Sequence, residues 1–139
     1  MGVMQVFKFL LAISGGFAGL LVVLVSYILQ LEPEPPLQLE DLDAELQAWY
    51  KKGSMVAVLG HNMFTVSEGA GSETIILIHG FPTSSYDYQQ TISTLAKNYQ
   101  VVVFDHLGFG FSDKPFDYTY SLVDQAEQAV QLWMELGIE

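Results

Sequence analysis

The sequence predicts an α/β fold, an antiparallel hairpin followed by a βαβ unit, behind a single transmembrane helix. Three observations carry that reading. Phe9 to Leu29 is a run of 21 residues without a charge. "TIILI" (74–78) and "YQVVVFD" (99–105) are continuous β-branched runs rather than alternating ones, the pattern of strands buried on both faces of a parallel sheet. The stretches between and after those two runs repeat apolar residues at helical spacing.

The apolar run comes first. At 1.5 Å per residue it is about 30 Å long, the thickness of a bilayer core. Lys8 and the amino terminus precede it, and Glu32 and Glu34 follow it. The positive side stays in the cytoplasm, so the remainder is expected in the lumen, the periplasm or outside the cell. A cleaved signal peptide is the competing reading, but the run is long for an h-region and no A-x-A site follows. A buried core helix rarely runs this long without a charge. Gly15 and Gly19 form a small-xxx-small pair at which two membrane helices can approach, although such glycines are also ordinary in membrane segments.

"EPEPPLQLE" (32–40) is Pro-rich and acidic and reads as an extended spacer. The domain division is therefore an anchor over 1–30, a linker over 31–40 and a partial α/β domain over 41–139. A short helix opens that domain, with Leu39, Leu42, Leu46 and Trp49 or Tyr50 on one face. Asp41, Asp43 and Glu45 sit early, Lys51 and Lys52 sit late, and Gly53 provides a C-terminal cap. "MVAVLGHNMFTV" (55–66) predicts two strands around a turn at Gly60-His61-Asn62, with His61 a turn residue rather than a ligand.

After the strand at 74–78, a helix is expected over Tyr86 to Lys97, with Ser84 and Asp87 at capping-box spacing. Its apolar stripe is Tyr88, Ile92, Leu95 and Tyr99. Strand, helix and second strand make a right-handed βαβ unit. A third helix is expected from Leu122 to Leu136, capped by Ser121 and Asp124 and ended by Gly137. Leu122, Ala126, Ala129, Trp133 and Leu136 form its predicted buried face, with Val123, Val130 and Met134 beside them.

Composition narrows the function. A length of 139 residues allows one domain at most. Five lysines face sixteen acids, a formal charge of -11, and every acid lies after residue 31. Such a surface repels phosphates, which excludes nucleic acid as a partner. The absence of cysteine excludes disulfides and thiolate metal sites. His61, His79 and His106 are too scattered to suggest a metal cluster, and no cofactor is implied.

Chemistry-bearing residues collect in two loops at the carboxyl ends of the two buried strands, where open parallel sheets bind ligands. In "DHLGFGFSDKP" (105–115), Gly108-Phe109-Gly110 begins a G-x-G, but Asp113 breaks G-x-G-x-x-G and no G-K-[ST] follows. The glycines are instead expected to turn the loop sharply. Asp105 has two readings, a general acid or base, or the favoured one, an acceptor of backbone N–H bonds that fixes the turn. In "HGFPTSSYD" (79–87), Gly80 precedes a residue whose backbone N–H is free and Pro82 fixes the turn. Phe81 is thus a candidate oxyanion donor through its backbone. His79 is expected to brace the loop rather than act as a base.

Together these loops resemble the α/β-hydrolase fold, in particular the epoxide hydrolase and haloalkane dehalogenase branch, with its H-G-x-P and D-x-x-G-x-G-x-S-D-K-P loops. The resemblance covers about Trp49 to Ile138. It implies an oxyanion-hole N–H at Phe81, a cis peptide to Pro82, and loop-shaping roles for Asp105, Gly108, Gly110 and Ser112. It also implies that the strand 74–78 lies between 99–105 and a further strand absent from this chain, which leaves an apolar edge open to self-association.

A hydrolase of this kind needs a nucleophile on a G-x-S-x-G elbow or its Asp variant. The only glycines four apart are Gly15 and Gly19, with Phe17 between them, and no histidine follows His106. The chain alone is therefore expected to lack nucleophile, catalytic acid and catalytic histidine. A small-molecule substrate, with an epoxide, ester or haloalkane-type bond, is expected only for a full-length form. The alternative is a short non-enzymatic membrane module that interacts through its open sheet edge or its anchor helix.

Overall fold

A computed structural model of the chain describes Leu20, Leu21, Leu24, Val25 and residues 38–138. The chain divides into two units, Met1–Leu37 and Gln38–Glu139. In the first unit the four described residues are helical with exposed side chains. The rest of the predicted Phe9–Leu29 span, and the linker as far as Leu37, lie outside the described residues. Among the described residues no helix is long and apolar enough to cross a membrane.

The second unit opens with a 3-10 turn, Leu39–Asp41, and helix α1, Ala44–Lys52. The single helix expected from Leu39 is thus broken. Leu42 is extended, and the Asp43 side chain caps α1 by accepting from the Leu46 N–H at 2.8 Å. Gly53 does end α1, but with φ -98 it is no left-handed cap. A Cβ there would lie 2.3 Å from the Phe64 ring, so close approach is what requires the glycine.

Four strands follow: β1 Ser54–Val58, β2 His61–Glu68, β3 Thr74–Ile78 and β4 Gln100–Phe104. They form one sheet in the order β1-β2-β4-β3. β1 pairs with β2, and β2 with β4, antiparallel; β3 and β4 run parallel, with Ile76 opposite Val102. The hairpin turn is Leu59-Gly60, with φ 48 and 86, and not Gly60-His61-Asn62 as the sequence suggests. Two residues at positive φ make the tight turn whose twist matches antiparallel strands. His61 therefore begins β2.

A 3-10 turn, Ser85–Tyr88, leads into α2, Gln89–Leu95, which connects β3 to β4; α3 is Leu122–Glu135. Ser84 caps the first of these by accepting from the Tyr86 N–H at 3.4 Å. The reciprocal bond expected from Asp87 is not made, and the α-helix proper is shorter than Tyr86 to Lys97.

Alternation along the strands divides the core between the two faces of the sheet. Phe64, Val66, Val101 and Val103 join Trp49 and Ile92 on the α2 side, where Tyr88, Leu95 and Tyr99 pack as predicted. Met63, Val58 and Phe104 join Leu107, Ala129 and Leu132 under α3. Val101 to Phe104 of β4 are fully buried. β3 is not: Thr74 and Ile78 are exposed and the three residues between are half-buried. Among the described residues β4 has a strand on each side, whereas β3 has one.

The buried face of α3 also differs from expectation. Gln125, Gln128, Ala129 and Leu132 are buried, whereas Leu122, Val123, Val130 and Met134 are exposed. The Gln125 side chain donates to the Leu107 carbonyl at 2.9 Å, which turns a polar residue into the sheet-facing one. The apolar arc of α3 is wider than the sheet it meets, so one side of it stays uncovered.

Candidate functional site

Because β3 and β4 are parallel, their carboxyl ends and both motif loops lie at one end of the sheet. The loop after β3 begins with His79, which is buried. His79 Nε2 accepts from the His106 backbone N–H at 3.0 Å, and its Nδ1 lies 3.0 Å from the Gly80 carbonyl. One imidazole thus contacts the backbone of both loops. The Gly80 carbonyl also accepts from the Thr83 N–H and hydroxyl, each at 3.0 Å, which closes the turn around Phe81-Pro82. The Phe81-Pro82 peptide is cis. Phe81 is 87% exposed, and its ring stands 6.1 Å from that of Phe109, nearly perpendicular to it. The Phe81 N–H has no acceptor among the described residues. A Cβ on Gly80 would meet nothing within 4 Å, so the space beside that N–H is open.

The second loop is organised by Asp105, which is 1% exposed. Its carboxylate accepts from the Ser85 N–H at 2.7 Å and from the Phe111 N–H at 2.8 Å. Each carboxylate oxygen thus accepts one backbone N–H, an arrangement compatible with the turn-fixing reading of Asp105. Gly110, at φ 45, lets the chain pass so close that a Cβ would sit 1.9 Å from the carboxylate. Gly108, at φ 88, does the same against the Tyr120 ring, at 2.6 Å. Ser112 donates to the Asp105 carbonyl at 2.6 Å and accepts from the Phe64 N–H at 2.9 Å. Asp113 accepts from the Asn62 N–H at 2.7 Å. The loop is therefore fastened to β2 as well as to its own strand.

All eight residues singled out from the sequence fall in these two loops: His79, Gly80, Phe81 and Pro82 in one, Asp105, Gly108, Gly110 and Ser112 in the other. Sequence reasoning missed His106. Its ring stands 4.9 Å from that of His79, and its Nδ1 is buried without a hydrogen-bond partner among the described residues. Burial, and secondly the nearby His79, push its pKa below the usual histidine value, against smaller opposing effects of Asp105 and Gln125. Two histidines, one at each strand end, were the available signal.

Between these loops and α3 lies a cavity of about 440 Å³, lined by Ile78, Phe81, His106, Leu122, Ala126 and Trp133 among others. Gln125 and Trp133 also line it, and their Oε1 and Nε1 atoms are buried without hydrogen-bond partners among the described residues. Among the described residues no group of three His, Asp or Glu side chains is placed to hold a metal. Chemically, the loops offer the Phe81 N–H, without an acceptor among the described residues, at the edge of an apolar cavity.

Known proteins are similar to this chain in sequence and in fold. Residues 73–139 match the family model of the alpha/beta hydrolase fold. The mesoderm-specific transcript protein of Mus musculus is 37% identical over 109 residues, which is 76% of this chain and 32% of that protein. The cis-3-alkyl-4-alkyloxetan-2-one decarboxylase of Shewanella oneidensis is 34% identical over 82 residues, 58% of this chain and 26% of that one. Among solved structures, the haloalkane dehalogenase DatA from Agrobacterium tumefaciens C58 superposes with a TM-score of 0.58 at 30% identity. It is matched over 63% of this chain and 30% of its own. The chain thus spans about a third of the length of the curated relatives it matches first. The family-model match includes β3, β4 and both loops, and the chain belongs to the α/β-hydrolase fold family.

Proposed function

We propose that this chain is the oxyanion-loop portion of a membrane-anchored hydrolase that cleaves an ester, epoxide or haloalkane-type bond, and that alone it is catalytically incomplete. The observation that carries this reading is the unpaired Phe81 N–H at the carboxyl end of β3, in a turn held by His79 and Thr83. In such enzymes the oxyanion hole takes one N–H from this loop and another from the residue after the nucleophile. Phe81 accounts for the first. The second, with the nucleophile, the acid and the catalytic histidine, is not encoded in these 139 residues. The names of a dehalogenase and an oxetanone decarboxylase among the relatives support a small, apolar substrate. The uncharged run after Lys8 supports the anchor.

Three measurements test this. The purified chain in detergent should turn over no p-nitrophenyl ester, epoxide or chloroalkane; turnover abolished by replacing a residue of this chain would refute the incompleteness. Replacing the matching third of a haloalkane dehalogenase by residues 38–138 should retain turnover. Phe81→Pro, which removes the N–H, should then lower kcat by about 100- to 1000-fold. Unchanged kcat would remove Phe81 from the oxyanion role. Membranes washed with alkaline carbonate should keep the intact chain; its release would refute the anchor.

A further inference from the structure

Helix α1 reaches the segment that follows the Phe81-Pro82 turn. Glu45 and Trp49 stand four residues apart and so share one face of the helix. Both meet the 3-10 turn Ser85–Tyr88. Trp49 is 3% exposed, and its Nε1–H donates to the Ser85 hydroxyl oxygen at 3.4 Å. The indole also meets the Tyr86 ring edge-on, with centroids 6.0 Å apart. The Glu45 carboxylate accepts from the Tyr86 hydroxyl at 2.9 Å. Two side chains of α1 thus hold two successive residues, 85 and 86.

Ser85 is where this hold meets the site. It is buried, and its N–H donates to the Asp105 carboxylate at 2.7 Å. The other oxygen of that carboxylate accepts from the Phe111 N–H in the second loop. On the upstream side, the Thr83 N–H closes the Phe81-Pro82 turn on the Gly80 carbonyl. Gly80 to Thr83 place no side chain in either core cluster, so polar fasteners at the two ends set the position of the turn. One end is held by His79, through the His106 N–H. The other is held at Ser85, from Asp105 and from α1. Among the described bonds, the α1 contacts alone come from outside the βαβ unit.

We propose that Trp49 is a positioning residue of the Phe81 turn, acting through Ser85. Its ring packs in the core with Phe64, Val66 and Ile92, which seats α1 on the domain. Lys52 pairs with Glu68 at 2.9 Å and fixes the end of the helix to β2. From that seat the indole N–H supplies a donor to a buried hydroxyl that would otherwise lack one. Another large apolar residue would fill the space and leave the Ser85 oxygen unpaired. The inference deepens the hydrolase reading and rests on it for one point, that the turn carries an oxyanion donor. The coupling of Trp49 to the turn is measured without activity, so its failure leaves the hydrolase reading standing.

The test is site-resolved amide hydrogen exchange of the full chain, labelled with nitrogen-15, in detergent micelles. Trp49→Phe keeps an aromatic ring in the core and removes the N–H. It should speed exchange of the Thr83 and Ser85 amides about two- to tenfold and shift the Phe81 amide resonance, with circular dichroism retained. Ser85→Ala removes the same bond from its other side and should speed Thr83 alike, which carries the test even where Trp49→Phe does not fold. The double variant should exceed neither single one. Leu132→Ala weakens the core under α3 and controls for general loss of stability. It should leave Thr83 unchanged, because an exposed turn exchanges by local opening. Unchanged Thr83 exchange in Trp49→Phe or in Ser85→Ala overturns the proposal. Equal acceleration in Leu132→Ala, or additive effects in the double variant, would reduce Trp49 to packing and overturn it as well.

Discussion

The Nε2 atom of His79 accepts a hydrogen bond from the backbone N–H of His106 at 3.0 Å. This bond ties the loop after β3 to the loop after β4 across the parallel pair. Because Nε2 accepts, the imidazole hydrogen sits on Nδ1, toward the Gly80 carbonyl. The turn that presents Phe81 is thus positioned by the neighbouring strand. His79→Ala would leave a buried N–H unpaired and free the turn, at a cost of about 1–3 kcal/mol. Urea unfolding followed by tryptophan fluorescence should show the midpoint fall. An unchanged midpoint would mean the two loops hold their places independently.

His106 makes stability depend on pH. Burial, then the nearby His79, lowers its folded pKa below 6.5. The unfolded side chain, titrating near 6.5, therefore takes up its proton first as pH falls. From there down to the folded pKa the unfolded chain binds more protons, so stability decreases with decreasing pH and is fully present above about 6.5. The Tm should fall between pH 7 and pH 5.5, and His106→Phe should flatten that slope. Asp124 acts in a separate window. Hydrogen bonds from Ser121 and Thr119 lower its pKa from 3.8, so its contribution is lost only at more acid pH.

Asp105 holds two chain segments at once, and substitution should separate its two roles. Asp105→Ala strands the N–H groups of Ser85 and Phe111, both now satisfied by the buried carboxylate. The expected loss is about 3 kcal/mol by chemical denaturation. Asp105→Asn keeps one acceptor oxygen and should lose about half of that. Equal losses for the two variants would show that the charge, and not the count of acceptors, organises the loop.

Much of this arrangement was legible in the sequence, and the exceptions share a cause. The strands at 74–78 and 99–105 announce themselves by β-branched runs, and the two loops by glycines at their ends. Pattern reading assumes that each apolar residue finds a partner and each polar one finds water. Gln125 and Gln128 break that assumption from one side by being buried, and Leu122 and Val123 from the other by being exposed. β3 carries a buried-strand pattern but stands at the edge of the described sheet, with Thr74 and Ile78 exposed. Leu59 at φ 48 carries no turn signal of its own, and only the Gly60 after it marks the site.

The rotation of α3 can be measured directly. Leu132 is fully buried under the sheet with Phe104 and Leu107, whereas Leu122 is 89% exposed on the same helix. Leu132→Ala removes packed methyl groups and leaves a cavity, so it should cost about 2–5 kcal/mol. Leu122→Ala removes as many atoms from solvent and should change the unfolding free energy by less than about 0.5 kcal/mol at concentrations where the chain is monomeric. The sequence pattern alone, with Leu122 on the predicted inner face, demands the opposite order for Leu122. A Leu122→Ala loss comparable to that of Leu132→Ala would return α3 to the predicted face and remove the uncovered surface beside β3.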